Sequence, residues 1–165
     1  MRDCLLPLVL IPLAGAACDF GRTDARTAVA TAGQLAFYDA YAPASPAPDI
    51  ASLYFTIVNF GERADTLQSV GTHLGTAKLH EVVTEGGRST MRHVPALPIA
   101  PGDTVRLAPG GYHVMITGLT RPLEVGDTLG VTLTFTRGGA VELQAPVLTY
   151  TDVMERLESG DRSEP

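Results

Sequence analysis

The chain has 165 residues, enough for one ordinary domain, and 45% apolar against 18% charged residues supports a buried core rather than a disordered chain. Its 12 basic and 18 acidic residues give a net charge of −6, which argues against a nucleic-acid or anionic-membrane surface, since both need clustered Lys and Arg. Gly 17 and Pro 12 are raised without reaching a low-complexity composition.

Residues 1–17 read as an export signal. Arg2 supplies a short positive region, Leu5 to Leu13 an apolar one, and Ala14 to Ala17 a small-residue cleavage region. The apolar run is too short to span a bilayer, and no later stretch approaches ~18 uninterrupted apolar residues. Two cleavage readings stand side by side. Cys18 after Gly15-Ala16-Ala17 is similar to a bacterial lipoprotein site with a lipidated first residue, and simple cleavage after Ala16 or Ala17 is the alternative. Either way the expected place of work is the periplasm or another extracytoplasmic space, with membrane contact only through a lipid on Cys18. Residues 18–33 are small and polar and suit a tether. The only cysteines are Cys4 and Cys18, so the domain expected over 34–148 has no disulfide, no thiol nucleophile and no thiolate metal ligand. A blue-copper electron-transfer site, which needs a Cys thiolate, is excluded.

Within 34–148, short β-favouring runs are separated by Gly, Pro, Asp and Asn. Strands are predicted at Leu35–Tyr41, Ser52–Asn59, Asp65–Val70, Lys78–Thr84, Thr90–Val94, Thr104–Leu107, Tyr112–Thr117, Thr128–Thr136 and Val141–Val147. Leu53, Phe55 and Ile57 alternate with Tyr54, Thr56 and Val58, and Leu129, Val131, Leu133 and Phe135 alternate with Thr residues. Regular short strands with turn signals read as a single-domain all-β sandwich or barrel. Ala42–Asp49 reads as a Pro-rich loop. The acidic tail, 149–165, offers a short helix capped by Asp152 with Glu155 as its reciprocal partner, and is expected to fray.

Four His and three Met of the mature chain hold the candidate chemistry. His113 and Met115 stand two apart on one strand and share a face. His80 and Met91 flank Gly86-Gly87, the strongest hairpin signal. A two-residue loop there puts Val82 opposite Met91 and His80 opposite His93, so that His80 and Met91 are diagonal neighbours. Two imidazoles and two thioethers suit Cu(I): a thioether is soft, has no proton to lose and forms no disulfide in an oxidising compartment. Zinc would favour thiolate or carboxylate beside His. Taken singly each residue has a plainer reading, as a satisfied surface histidine or a core-filling methionine. His93 reads as an exposed strand histidine, with a rival-ligand or supporting role as the alternative, and His73 reads as surface. Ser69 and Ser89 lie in turn-rich segments without a nucleophile-elbow pattern, so hydrolysis is not supported and no enzyme activity is expected.

As a unit the residues form His80-x10-Met91-x21-His113-x-Met115. With Leu53-Tyr54-Phe55-Thr56, Leu79-His80-Glu81, Pro109-Gly110-Gly111-Tyr112-His113-Val114-Met115, Gly126-Asp127-Thr128 and Leu133-Thr134-Phe135, the sequence resembles the periplasmic Cu(I) chaperone family PCuAC over about residues 35–148. The resemblance implies a cupredoxin-like or immunoglobulin-like β-sandwich binding one Cu(I) through His80, Met91, His113 and Met115. It also implies a monomeric carrier that delivers Cu(I) by ligand exchange toward the CuA centre of cytochrome c oxidase. The acceptor would be a CuA-bearing oxidase subunit or a Sco-like thioredoxin-fold protein. The chain departs from many members in lacking Trp and in having a tail without His. Alternatives are a copper-buffering or resistance protein without a dedicated acceptor, and a β-sandwich binding module that holds no metal.

Overall fold

The computed structural model describes residues 27–45 and 47–161. The signal region, Cys18 and most of the expected tether lie outside the described residues. Eleven strands and one helix follow in chain order: β1 Ala30–Ala32, β2 Leu35–Pro43, β3 Ile50–Asn59, β4 Asp65–Gly71, β5 Thr76–Glu85, β6 Arg88–His93, β7 Leu97–Ile99, β8 Thr104–Leu107, β9 Tyr112–Thr117, β10 Thr128–Phe135, β11 Gly139–Leu148 and α1 Tyr150–Asp161. The all-β, single-domain architecture is as expected, and every predicted strand is present.

The strands form one mixed sheet in the order β6-β5-β9-β8-β3-β2-β11-β10-β4-β7, with β1 on β2. It turns at the short parallel pairing of β11 with β2, Val147↔Ala42 and Leu148↔Pro43, so its two halves face each other across the core. Alternation along each strand decides what enters that core. Leu53, Phe55 and Ile57 of β3, Val114 and Ile116 of β9, and Leu129, Val131, Leu133 and Phe135 of β10 are all buried. The ring of Phe37 joins the halves, its centroid 6.4 Å from Phe55 and 5.6 Å from Phe135.

Some elements differ from the sequence expectation. β1 falls inside the stretch read as tether, with Ala32 buried. β2 runs on through Ala42 and Pro43, which the sequence reading gave to the loop. Pro is tolerated there because it ends the strand. A bulge at Tyr38–Tyr41, with Asp39 at φ 54°, re-aims β2. The tail, expected to fray, instead forms α1. Its cap lies three residues earlier than predicted: Thr149 Oγ1 accepts from Asp152 N at 3.1 Å and donates to Asp152 Oδ2 at 2.7 Å.

What the sequence pattern missed is that α1 has a surface to dock on. Val153 and Leu157, four apart, bury against Tyr54 in a second small cluster joined by Tyr41 and Leu148, and the Arg156 guanidinium lies 5.3 Å from the Tyr41 ring centroid. Tyr54 is on the outer face of β3, so α1 covers part of the sheet's outside. Val153→Ala removes two buried methyl groups and is expected to cost about 2 kcal/mol in urea unfolding. No measurable change would mean that the helix is undocked in solution.

Candidate metal centre

The site lies on the outer face at one margin of the sheet, where β6, β5 and β9 run side by side. Gly86 and Gly87 take φ 58° and 77°, the left-handed values that a two-residue hairpin turn needs at both central positions. The turn sets the β5–β6 register at Glu85↔Arg88, Val82↔Met91 and His80↔His93, as the loop length implies. On the other side of β5, β9 pairs with His80↔His113 and Lys78↔Met115.

Three imidazoles therefore stand in one row across three strands. The His80 ring centroid is 5.8 Å from His93, edge-on, and 6.0 Å from His113, stacked. Met91 is two residues from His93 and Met115 two from His113, so both thioethers share the face of the row. The inward alternates, Leu79 and Val114, are buried in the core and hold β5 and β9 in place.

Burial grades across the row. His113 is 7% exposed, His80 is half-buried, and His93 is exposed. Met115 is half-buried and Met91 is 61% exposed. Packing gives an exposed methionine on a polar edge strand no reason to be there, whereas a soft donor belongs at an accessible margin.

The ring orientations have local causes. His113 Nδ1–H donates to the carbonyl of Gly111 at 3.1 Å, which leaves Nε2 with the free lone pair. The same carbonyl accepts from Val82 N at 3.2 Å, tying the His113 ring to β5. His80 Nδ1 is buried with no hydrogen-bond partner of good geometry, only a weak contact with the Lys78 backbone. An orphaned imidazole nitrogen beside two other imidazoles is an atom that an incoming cation would satisfy. Burial pushes the His80 pKa below the usual 6.5 against the opposing pull of the Lys78 backbone, and the charges of His113, His93 and Lys78 add to the lowering. The ring is thus neutral at pH 7, as a metal ligand must be.

One residue out of phase, on the opposite face, a second row backs the first. Arg92 Nη2 donates to Glu81 Oε2 at 2.7 Å, and Glu81 is paired with Tyr112 across β5–β9. Burial and the neighbouring carboxylate together hold the Tyr112 phenol above its usual pKa. The sequence reading did not find this row, since Glu81 and Tyr112 meet only through the long-range β5–β9 pairing.

All four sequence-predicted site residues, His80, Met91, His113 and Met115, come to one face. His73 is exposed in the β4–β5 connection, outside the row, as expected. Among the described residues no three His, Cys, Asp or Glu side chains converge on a point that could hold a metal ion. The four motif residues pair imidazole with thioether, whereas zinc favours thiolate or carboxylate beside His.

Comparison with known proteins agrees with this geometry. A family profile described as "Putative lipoprotein LpqE-like" matches residues 35–147. The chain belongs to the LpqE-like family. The LpqE-like chain is 39% identical over 82 residues to "Putative lipoprotein Lxx21020" of Leifsonia xyli subsp. xyli, a match that spans 49% of each chain, so about half the length of that relative is covered. Among solved structures it is similar to the "Copper-bound PCuAC domain from PmoF2", at 25% identity and TM-score 0.62 over 72% of this chain and 96% of that one. It is also similar to CuI-DR1885 from Deinococcus radiodurans, a solution structure, at 34% identity and TM-score 0.52 over 67% of this chain and 77% of that one. These likenesses put the LpqE-like chain among the PCuAC domains, as its motif spacing implied. No helix of the described residues is long and apolar enough to cross a membrane.

Proposed function

We propose that this chain is an extracytoplasmic copper(I) carrier rather than an enzyme, anchored by a lipid on Cys18, with a copper-binding domain over residues 34–148. The observation that carries the proposal is the meeting of His80, Met91, His113 and Met115 on one face at the open margin of the sheet. Two neutral imidazoles and two thioethers form a soft, uncharged donor set that favours Cu(I) over Zn(II) and stays intact where thiols would oxidise. The copper named in the similar PCuAC structures supports the same reading.

In this reading one Cu(I) binds per domain and leaves by ligand exchange, an acceptor's donors replacing the protein's one at a time. Cu(I) stays Cu(I), and neutral imidazoles and thioethers release no proton as their bonds to it break. The acceptor we propose is the CuA-bearing oxidase subunit or a Sco-like thioredoxin-fold protein.

The test is competition for Cu(I) against a chromophoric chelator under reductant, using the domain from Asp19 onward. The expected result is one tightly held Cu(I), weakened in His113→Ala and unchanged in His73→Ala. A wild-type domain that takes no copper from the chelator would overturn the proposal. Loss of CuA assembly in a deletion strain supports delivery, whereas normal assembly would leave a copper buffer without a dedicated acceptor.

The pH dependence has a definite sign. Protons compete with Cu(I) for the imidazole lone pairs, and thioethers do not titrate in this range. Because the His80 pKa lies below 6.5, its proton competes only on the acid side of that value. Affinity measured from pH 8 to 5 is expected to be flat down to about pH 7 and to fall below about 6.5. A fall between pH 8 and 7 would point to a different donor.

A further inference from the structure

We infer that His93 is a transit ligand: copper moves along the three-histidine row from a sheltered pair on β9 to an exposed pair on β6, with His80 as the pivot. The inference rests on the carrier reading above and adds the route by which the ion leaves.

The register makes two donor sets that share His80 and Met91. The inner, resting set is His80, Met91, His113 and Met115, and the outer, transit set is His80, Met91 and His93. The two flanking strands are near mirror images across β5: each contributes one imidazole opposite His80 and one thioether two residues away on the same face. The ring separations are also alike, 5.8 Å on the outer side and 6.0 Å on the inner. His93 and His113 flank His80 on opposite sides, so the row gives His80 a neighbouring imidazole in each direction.

Exposure gives the row a direction. His113 is buried and its ring is pinned by the Gly111 carbonyl, whereas His93 and every other residue of β6 are exposed. β6 pairs only with β5, so its far edge is open to an incoming molecule. An ion in the inner set is shielded, and an ion in the outer set is within reach of another protein's donors. In the step itself the copper–nitrogen bond to His113 breaks as the bond to His93 forms, Met115 is released, and His80 and Met91 stay bound. Copper remains Cu(I), and the exchange of one neutral imidazole for another moves no proton.

The experiment compares equilibrium and rate in wild type, His93→Ala, His93→Met and His113→Ala. Each is loaded with one equivalent of Cu(I) and mixed with excess bidentate aromatic diimine chelator. His93→Ala is expected to keep the Cu(I) dissociation constant within about threefold while slowing transfer about tenfold, and His93→Met, which restores a soft donor, is expected to recover the rate. A merely structural role for His93 would not be rescued by methionine. An unchanged transfer rate in His93→Ala would overturn the inference. So would an affinity loss as large as that of His113→Ala, which would make His93 a resident ligand. A wild type that binds no Cu(I) would instead overturn the carrier reading itself, so the two failures are told apart. His93 is exposed and fills no core space, so loss of folding does not confuse the comparison.

Discussion

Replacing His80 by alanine is expected to weaken Cu(I) binding by more than about 100-fold, beyond the ~10–100-fold that follows when only a ligand's hydrogen-bond partner is changed. His80 stands on the central strand of the three, in register with both His93 and His113, and it is the only imidazole common to the inner and outer sets. Losing Met91 or Met115 leaves the other thioether, and losing either flanking histidine leaves a pair. Losing His80 leaves two separated half-sites. Its Nδ1 meets no hydrogen-bond partner of good geometry and only a weak contact with the Lys78 backbone, so alanine gives up little there, and urea unfolding of the metal-free variant should stay near wild type. Chelator competition under reductant reads the effect. A dissociation constant within about threefold of wild type would contradict the shared role of His80.

Deleting Ser89 is the second large effect expected, and it tests register rather than residue identity. The side-chain period of a strand is two, so removing one residue between the Gly86-Gly87 turn and Met91 sends Met91 and His93 to the opposite face while their identities and the strand remain. β6 is exposed throughout and lies at the sheet edge, so the core loses nothing and the fold should hold. The deletion gives up the 2.9 Å hydroxyl pair of Thr84 and Ser89 and, by turning Arg92 over, its 2.7 Å pair with Glu81, and Ser89→Ala and Arg92→Ala control for these two losses. Cu(I) affinity is expected to fall about 10–100-fold in the deletion and to stay unchanged in Ser89→Ala. Equal affinities in the two would mean that β6 contributes no donor.

The parts of this molecule that were legible in its sequence are those governed by local periodicity. Alternation along β3 and β10 marks their inward faces directly, and Gly86-Gly87 sets the hairpin register that pairs His80 with His93. The β5–β9 pairing that brings His113 beside His80 is different in kind. It joins residues 33 positions apart through a sheet order that no local signal encodes, and only the motif resemblance anticipated it. The same pairing assembles the Tyr112, Glu81 and Arg92 row behind the site, which went unseen. Helix α1 was missed for an energetic reason. Its sequence is short and polar, so isolated propensity predicts fraying, and its order comes from docking Val153 and Leu157 on Tyr54. The Thr149 cap was overlooked because Asp152, its partner, is itself a good cap.

The exposure gradient gives the proposed carrier a physical basis for both holding and releasing its cargo. Buried, pinned donors on β9 favour retention, and exposed donors on β6 favour exchange. Both halves are fixed to one rigid strand pairing, so no large conformational change is needed between them.

The most direct test of the central claim is the copper K-edge X-ray absorption spectrum of the domain loaded with one equivalent of Cu(I) under reductant. The account predicts a Cu(I) edge and a first shell of mixed sulfur and imidazole nitrogen, with the sulfur contribution reduced in Met91→Ala and in Met115→Ala. A shell of nitrogen and oxygen alone, or one indifferent to both methionine substitutions, would contradict it.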